Sequence, residues 1–230
     1  MKKVLPLVFQ ILLVNISLFS QKYEPVTVRA GMKVVDCFPF NERYQYKEFI
    51  AGRIQLNNGI VSDKMLNYDF LNGEMEYIKG KDTLAIANAQ EIRRIIVASD
   101  TFYYNKGAYL QLISGGALKV ALKQYIKLKE VQKKDSYGTS SSGSATNSYG
   151  SLPTAGNFYK LVANEDMIFQ RTLEYYLSDP QGGFVQYNKK NVLHLYPEHE
   201  KVIKDYLKSN KINFDKRDDL ISLAGFLSNL

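Results

Sequence analysis

Residues 49–86, FIAGRIQLNNGIVSDKMLNYDFLNGEMEYIKGKDTLAI, set the reading of the whole chain. Over residues 49–56, Ile50, Gly52, Ile54 and Leu56 alternate with Ala51, Arg53 and Gln55, the two-residue period of a strand with one apolar face. Asn57-Asn58-Gly59 follows, residues that tolerate positive φ, so the chain reverses there. Leu66, Tyr68 and Phe70 share one parity, Asn72-Gly73 makes the next tight turn, Met75 and Tyr77 resume the alternation, and residues 79–82 (KGKD) reverse it again. Strands punctuated by turns about every ten residues are the pattern of an antiparallel meander.

Working outward, residues 83–86, 92–99 and 101–104 are further strands, Asn105-Lys106-Gly107 is a turn, and residues 108–113 and 117–131 flank Ser114-Gly115-Gly116. Residues 117–134 admit two readings. As a strand they place Leu118, Val120, Leu122, Ile126 and Leu128 opposite Lys119, Lys123, Tyr125, Lys127 and Lys129. As a helix they gather Leu118, Ala121, Leu122 and Tyr125, with favourable Ala, Leu and Lys content. The strand is preferred, because the alternation persists over ten residues and the helical stripe accommodates Val120 and Leu128 badly. The lysine row is read as the solvated face of a sheet rather than a polyanion track.

Residues 135–157, DSYGTSSSGSATNSYGSLPTAGN, hold almost nothing to bury and read as a Ser/Gly-rich flexible linker or exposed loop. No G-x-S-x-G elbow occurs among these serines. Beyond them, residues 158–162 and 168–177 alternate, and Asp179-Pro180-Gln181-Gly182-Gly183 turns the chain into residues 184–187, giving a second hairpin. The period then becomes helical. Residues 189–195 form a short helix, and Pro197 opens another with Val202, Ile203, Tyr206 and Leu207 as its stripe. Asp215 and Asp218 are spaced as a capping pair for a last helix with stripe Leu220, Leu223, Ala224 and Leu227. The fold class is therefore α+β: a mainly antiparallel β meander (sandwich, roll or half-open barrel) over 21–134, the 135–157 linker, then a hairpin and a small C-terminal helical unit over 158–230, free to pack on the β domain.

The N-terminus, MKKVLPLVFQILLVNISLFS, sets Lys2 and Lys3 before an apolar run over residues 4–19 that ends at Ser20. Residues 1–20 are thus a signal peptide; Pro6, Gln10 and Asn15 interrupt the run, which is short for a permanent spanning helix. No cysteine follows directly, so no lipoprotein acylation site is apparent. Removing two lysines and no acid lowers the formal charge from +7 to +5. That excess favours weak attraction to polyanions, whereas export and the lack of basic runs interleaved with aromatics argue against nucleic acid as a partner. With 45% hydrophobic and 23% charged residues, the 230-residue chain is neither disordered nor polytopic.

The signal peptide ending LFSQ, the stretch LNYDFLNGEMEYIKGKDTLAI and the tail KKNVLHLYPEHEKVIKDYLKSNKINFDKRDDLISL resemble those of uncharacterised exported proteins of Bacteroidota. The resemblance implies an envelope location, periplasmic or at the cell surface with outer-membrane association left open, and a small β-rich body with a helical end. It transfers no catalytic residue.

Candidate chemistry must come from the residues themselves. His194 and His199 lie five apart in HLYPEHE, off the i,i+3 and i,i+4 spacings of one helical face, so no metal is expected there. Cys37, the single cysteine, sits beside Val34, Val35 and Phe38 and reads as a packing residue. Glu74 and Glu76 share a strand face and are the least poor carboxylate pair for a polymer hydrolase, although such pairs on exposed strands are ordinary. There is no phosphate-cradling glycine loop, and no cofactor is expected. Of seventeen tyrosines, Tyr103, Tyr104 and Tyr109 around the 105–107 turn are the preferred exposed recognition set. The leading function is a non-catalytic envelope module presenting a β surface to an envelope or outer-membrane protein partner. An envelope-polymer hydrolase using carboxylates and a carrier of an apolar ligand in a half-open barrel are the alternatives.

Overall fold

The computed structural model describes residues 23–134, 140–144 and 158–230. Strand β1 (Val26–Val28), a 3-10 turn (Val34–Cys37) and the one-turn helix α1 (Phe40–Arg43) precede the meander. The meander comprises β2 (Ile50–Leu56), β3 (Val61–Asp69), β4 (Glu74–Lys79), β5 (Asp82–Ala85), β6 (Ile92–Val97), β7 (Asp100–Asn105), β8 (Ala108–Ser114) and β9 (Val120–Lys134). Then come β10 (Ser140–Ser144), β11 (Asp166–Ser178) and β12 (Phe184–Gln186), followed by α2 (Lys189–Leu195), α3 (Glu200–Ser209) and α4 (Arg217–Leu227). The antiparallel meander with a helical C-terminal part is the architecture that the residue periodicities predict.

The strands form one open antiparallel sheet in the order β1-β11-β9-β8-β7-β6-β2-β3-β4-β5, with β10 on β9 and β12 on β11. Residues 117–134 resolve as strand: β9 pairs with β11 from Val120 to Gln132, with a bulge at Lys129, the residue left over between the Glu130–Ile168 and Leu128–Phe169 pairs. Because β11 lies between β1 and β9, the chain on either side of residues 135–157 shares a single sheet. Ser140–Ser144, inside the segment expected to be a linker, pair with Glu130–Lys134 as β10. The remainder of that segment and residues 1–20, expected to be a signal peptide, lie outside the described residues.

The sheet curls until its two halves meet. Ile126 N of β9 donates to Phe70 O at 2.7 Å, and the Tyr68 hydroxyl donates to Gln124 O at 2.9 Å, although β9 and β3 are five strands apart in the order. The concave face encloses the main core of Tyr68, Phe70, Phe102, Tyr109, Ile126 and Phe169, with rings mostly edge to face. Curling is what lets one sheet bury its apolar face without a second layer. Gly52 allows a close approach at this inner face: a Cβ there would lie 2.8 Å from both Ile96 O and Leu66 Cδ1. A separate core gathers Val120 and Leu177 with Tyr187, Ile203, Leu220 and Leu223, so the helical unit caps one end of the β9–β11 pair. Tyr206 stacks on Phe226 at 3.9 Å, joining α3 to α4.

Three local expectations are corrected. Residues 158–162 are not a strand; Phe158–Lys160 form a 3-10 turn and Val162 makes a single bridge to Lys33, because Phe158 turns inward onto Phe169. Asp215 does not cap the last helix, which begins at Arg217; Asp219 instead accepts from Asn213 N at 2.8 Å, tying the first turn back to the preceding loop. The strand expected over residues 92–99 ends at Val97: Ala98-Ser99 are the two-residue turn of the β6–β7 hairpin, with Ala98 at φ +51° without the usual Gly or Asn.

Candidate functional site

Two features have the chemistry of a site, a buried carboxylate cluster and an open cleft, and both are built where the N-terminal segment meets the curled sheet. Residues 43–45 run along the end of β3: Phe70 N donates to Arg43 O at 2.8 Å and Gln45 N to Tyr68 O at 3.0 Å. This brings Arg43 and Tyr44 over the β3–β4 hairpin. Asp69 closes β3 with its own turn, accepting from Leu71 N at 2.8 Å and Asn72 N at 3.3 Å through Oδ1. Its Oδ2 takes Arg43 Nη2 at 2.7 Å, Arg43 Nε at 3.0 Å and Asn72 Nδ2 at 2.7 Å. Glu76 Oε2 accepts from the Tyr44 hydroxyl at 2.7 Å, and Oε1 accepts from the hydroxyl of Tyr159, delivered by the 3-10 turn after the long Ser/Gly segment.

Glu76 is thus separated from the acid expected beside it. Glu74 and Glu76 do share the face of β4, but Glu74 is half-buried while Glu76 is fully enclosed and converges on Asp69 from the neighbouring strand. Burial, then the Asp69 charge, pushes the Glu76 carboxyl up to about 7 against the pull of the Tyr44 hydrogen bond and Arg43. Burial first and Asp69 second also raise Glu74. The Asp69 and Glu76 side chains are 0% and 1% exposed, and each of the four oxygens holds a protein donor. A carboxyl with its acceptors filled and no solvent face is placed to bind elements together, not to exchange a proton with a polymer. Sequence reasoning missed Arg43, Tyr44, Asp69 and Tyr159; only the Asp69–Gly73 turn pattern, DFLNG, hinted at any of them.

The tyrosines expected as one exposed set are divided by the pleat. Tyr104 and Tyr109 are cross-strand partners facing the core, with ring centroids 5.1 Å apart, and Tyr109 is only 2% exposed. Tyr103 points to the opposite face, where its ring lies 5.5 Å from that of Phe184. The three therefore share no surface. His194 is exposed on α2 and His199 is half-buried in the next turn, and no group of three metal-binding side chains occurs among the described residues. The Cys37 thiol is pushed up by burial and by Asp36, opposite to the shift of an activated nucleophile, and Sγ points to Lys33 O at 3.6 Å. In the lysine row, Lys127 and Lys129 are exposed, while Lys123 lies 4.2 Å from the Tyr125 ring centroid and 4.0 Å from Glu174.

The cleft, of about 440 Å³, opens between the segment 23–26, α1 and the β9–β11 pair. Val26, Phe38, Ile126 and Phe169 form its apolar wall, Arg171 stands in it, and Glu24 and Glu42 border it. At the far end of the strand order, β5 is an edge strand with all four residues exposed. No helix among the described residues is long and apolar enough to cross a membrane. No protein-family model, curated protein or solved structure matches the chain.

Proposed function

We propose that the protein is an exported cell-envelope binding module that offers the edge of its sheet to an extended segment of an envelope protein partner. The signal-peptide pattern of residues 1–20 supports export to the periplasm or cell surface. The observation that carries the reading is strand β5. It pairs with β4 on one side, and among the described residues nothing pairs with its other side. An edge strand of this kind presents backbone donors and acceptors to an incoming strand, and natural sheets usually blunt such edges with charge, proline or a bulge. Leu84 on β5 and Ile78 on its neighbour β4 are 38% and 36% exposed on opposite faces of the sheet, leaving apolar surface on and beside the free edge. The enclosure of Glu76 favours this reading over a carboxylate hydrolase.

The test is affinity isolation from the native envelope with mass spectrometry, comparing the wild-type chain with Ile78→Lys/Leu84→Lys. The expected result is a stoichiometric companion held by the wild type and lost from the variant, with both unfolding at the same denaturant midpoint. Absence of any stable companion on the wild-type chain would overturn the reading.

A further inference from the structure

The cleft beside β1 lies at the opposite end of the strand order from β5, and the assembly role proposed above makes no use of it. Its volume of about 440 Å³ falls within the range of small-molecule sites, which bury an apolar body and fix it with a few polar groups. Val26, Phe38, Ile126 and Phe169 supply the apolar wall. The polar group is Arg171. Its guanidinium carbon lies 3.6 Å from the Phe70 ring centroid and 4.4 Å from that of Tyr23, and Nη2 donates to the backbone oxygen of Glu42 at 2.6 Å. The planar fork is thereby held in place by groups that do not neutralise it, and among the described residues it forms no ion pair with a carboxylate.

We infer that this cleft binds a small apolar molecule bearing one carboxylate, with Arg171 receiving the carboxylate and the Val26–Phe38–Ile126–Phe169 wall receiving the apolar body. A guanidinium with free N–H donors matches a carboxylate in two parallel hydrogen bonds, and the adjoining rings keep water from competing. Glu24 and Glu42 also border the cleft, but both are exposed, so solvent and salt screen them, whereas Arg171 is half-buried. The less screened charge selects the sign of the ligand.

The experiment titrates the full chain with decanoate, decanol and decylammonium, below their aggregation concentrations, and follows amide shifts of Val26, Phe38 and Ile126. The shared tail isolates the head group. Decanoate is expected to bind roughly 10- to 100-fold more tightly than decanol, the range of a hydrogen bond to a charged group, with decylammonium weaker than both. Arg171→Met is expected to remove that advantage while leaving decanol affinity within about 2-fold, since the apolar wall is intact. Equal binding of decanoate and decanol, tighter binding of decylammonium, or shifts that avoid these three amides would each overturn the inference. The comparison of head groups is made on the wild-type chain, so it decides the matter even if the variant does not fold.

Discussion

The hydroxyl of Tyr44 donates to Glu76 Oε2 at 2.7 Å, joining the residue that follows α1 to the middle of β4, 32 positions later, at a carboxylate with almost no solvent exposure. Tyr159 reaches the other oxygen of the same carboxylate from 83 positions away. Three distant stretches of chain thus meet on one acid. Its enclosure makes it a structural latch and gives it a measurable titration.

Glu76 titrates at about 7 in the folded chain against an ordinary 4.5. A carboxyl raised on folding binds its proton more tightly in the native state, so its contribution is complete below the unfolded pKa and is lost as pH rises through the folded one. Thermal unfolding should therefore show wild-type stability falling between about pH 4.5 and 7 relative to Glu76→Gln. Parallel curves for the two proteins across that window would show that Glu76 does not titrate as described.

Tyr44→Phe and Tyr159→Phe each remove one donor from the buried carboxylate. Each should cost roughly 1–3 kcal/mol in urea unfolding, the range for leaving such a group short of a partner. The double variant should depart from additivity by about 0.5 kcal/mol or more, because both hydroxyls serve the same acid.

Gly52→Ala tests the close approach at the inner face of the sheet. The added methyl meets the Ile96 carbonyl oxygen, a backbone atom, and cannot be relieved by a side-chain rotation alone. A loss of about 1–3 kcal/mol is expected, with wild-type secondary structure by circular dichroism.

Phe169→Ala removes a fully buried ring that packs edge to face on Phe38 at 5.7 Å and on Phe158 at 5.8 Å. The loss should be about 3–5 kcal/mol, read from the denaturant midpoint. A loss below about 1 kcal/mol would mean that the turn at Phe158–Lys160 does not close over the concave face as described.

Elements with a local cause were legible in the order of residues. The alternation of Ile50, Gly52 and Ile54 and the turn residues Asn72-Gly73 and Asn105-Lys106-Gly107 mark strands and reversals, because pleat and turn are settled by neighbours within a few positions. The stripe Leu220, Leu223, Ala224 and Leu227 marks α4 in the same way, and all four residues are buried. The Ala98 turn escaped notice because its positive φ is imposed by the β6–β7 pairing rather than by a permissive residue.

Local order therefore determined that this chain makes strands of two-residue rhythm and ends in helices. It also placed Tyr104 and Tyr109 at a hairpin without revealing which side of the pleat would be enclosed. The tertiary structure decided that β11 inserts between β1 and β9, that the sheet curls until Ile126 meets Phe70, and that Asp69, Glu76, Arg43, Tyr44 and Tyr159 converge. Those contacts span tens of residues, and their free energy depends on burial and charge in the assembled chain, which no short window of sequence contains.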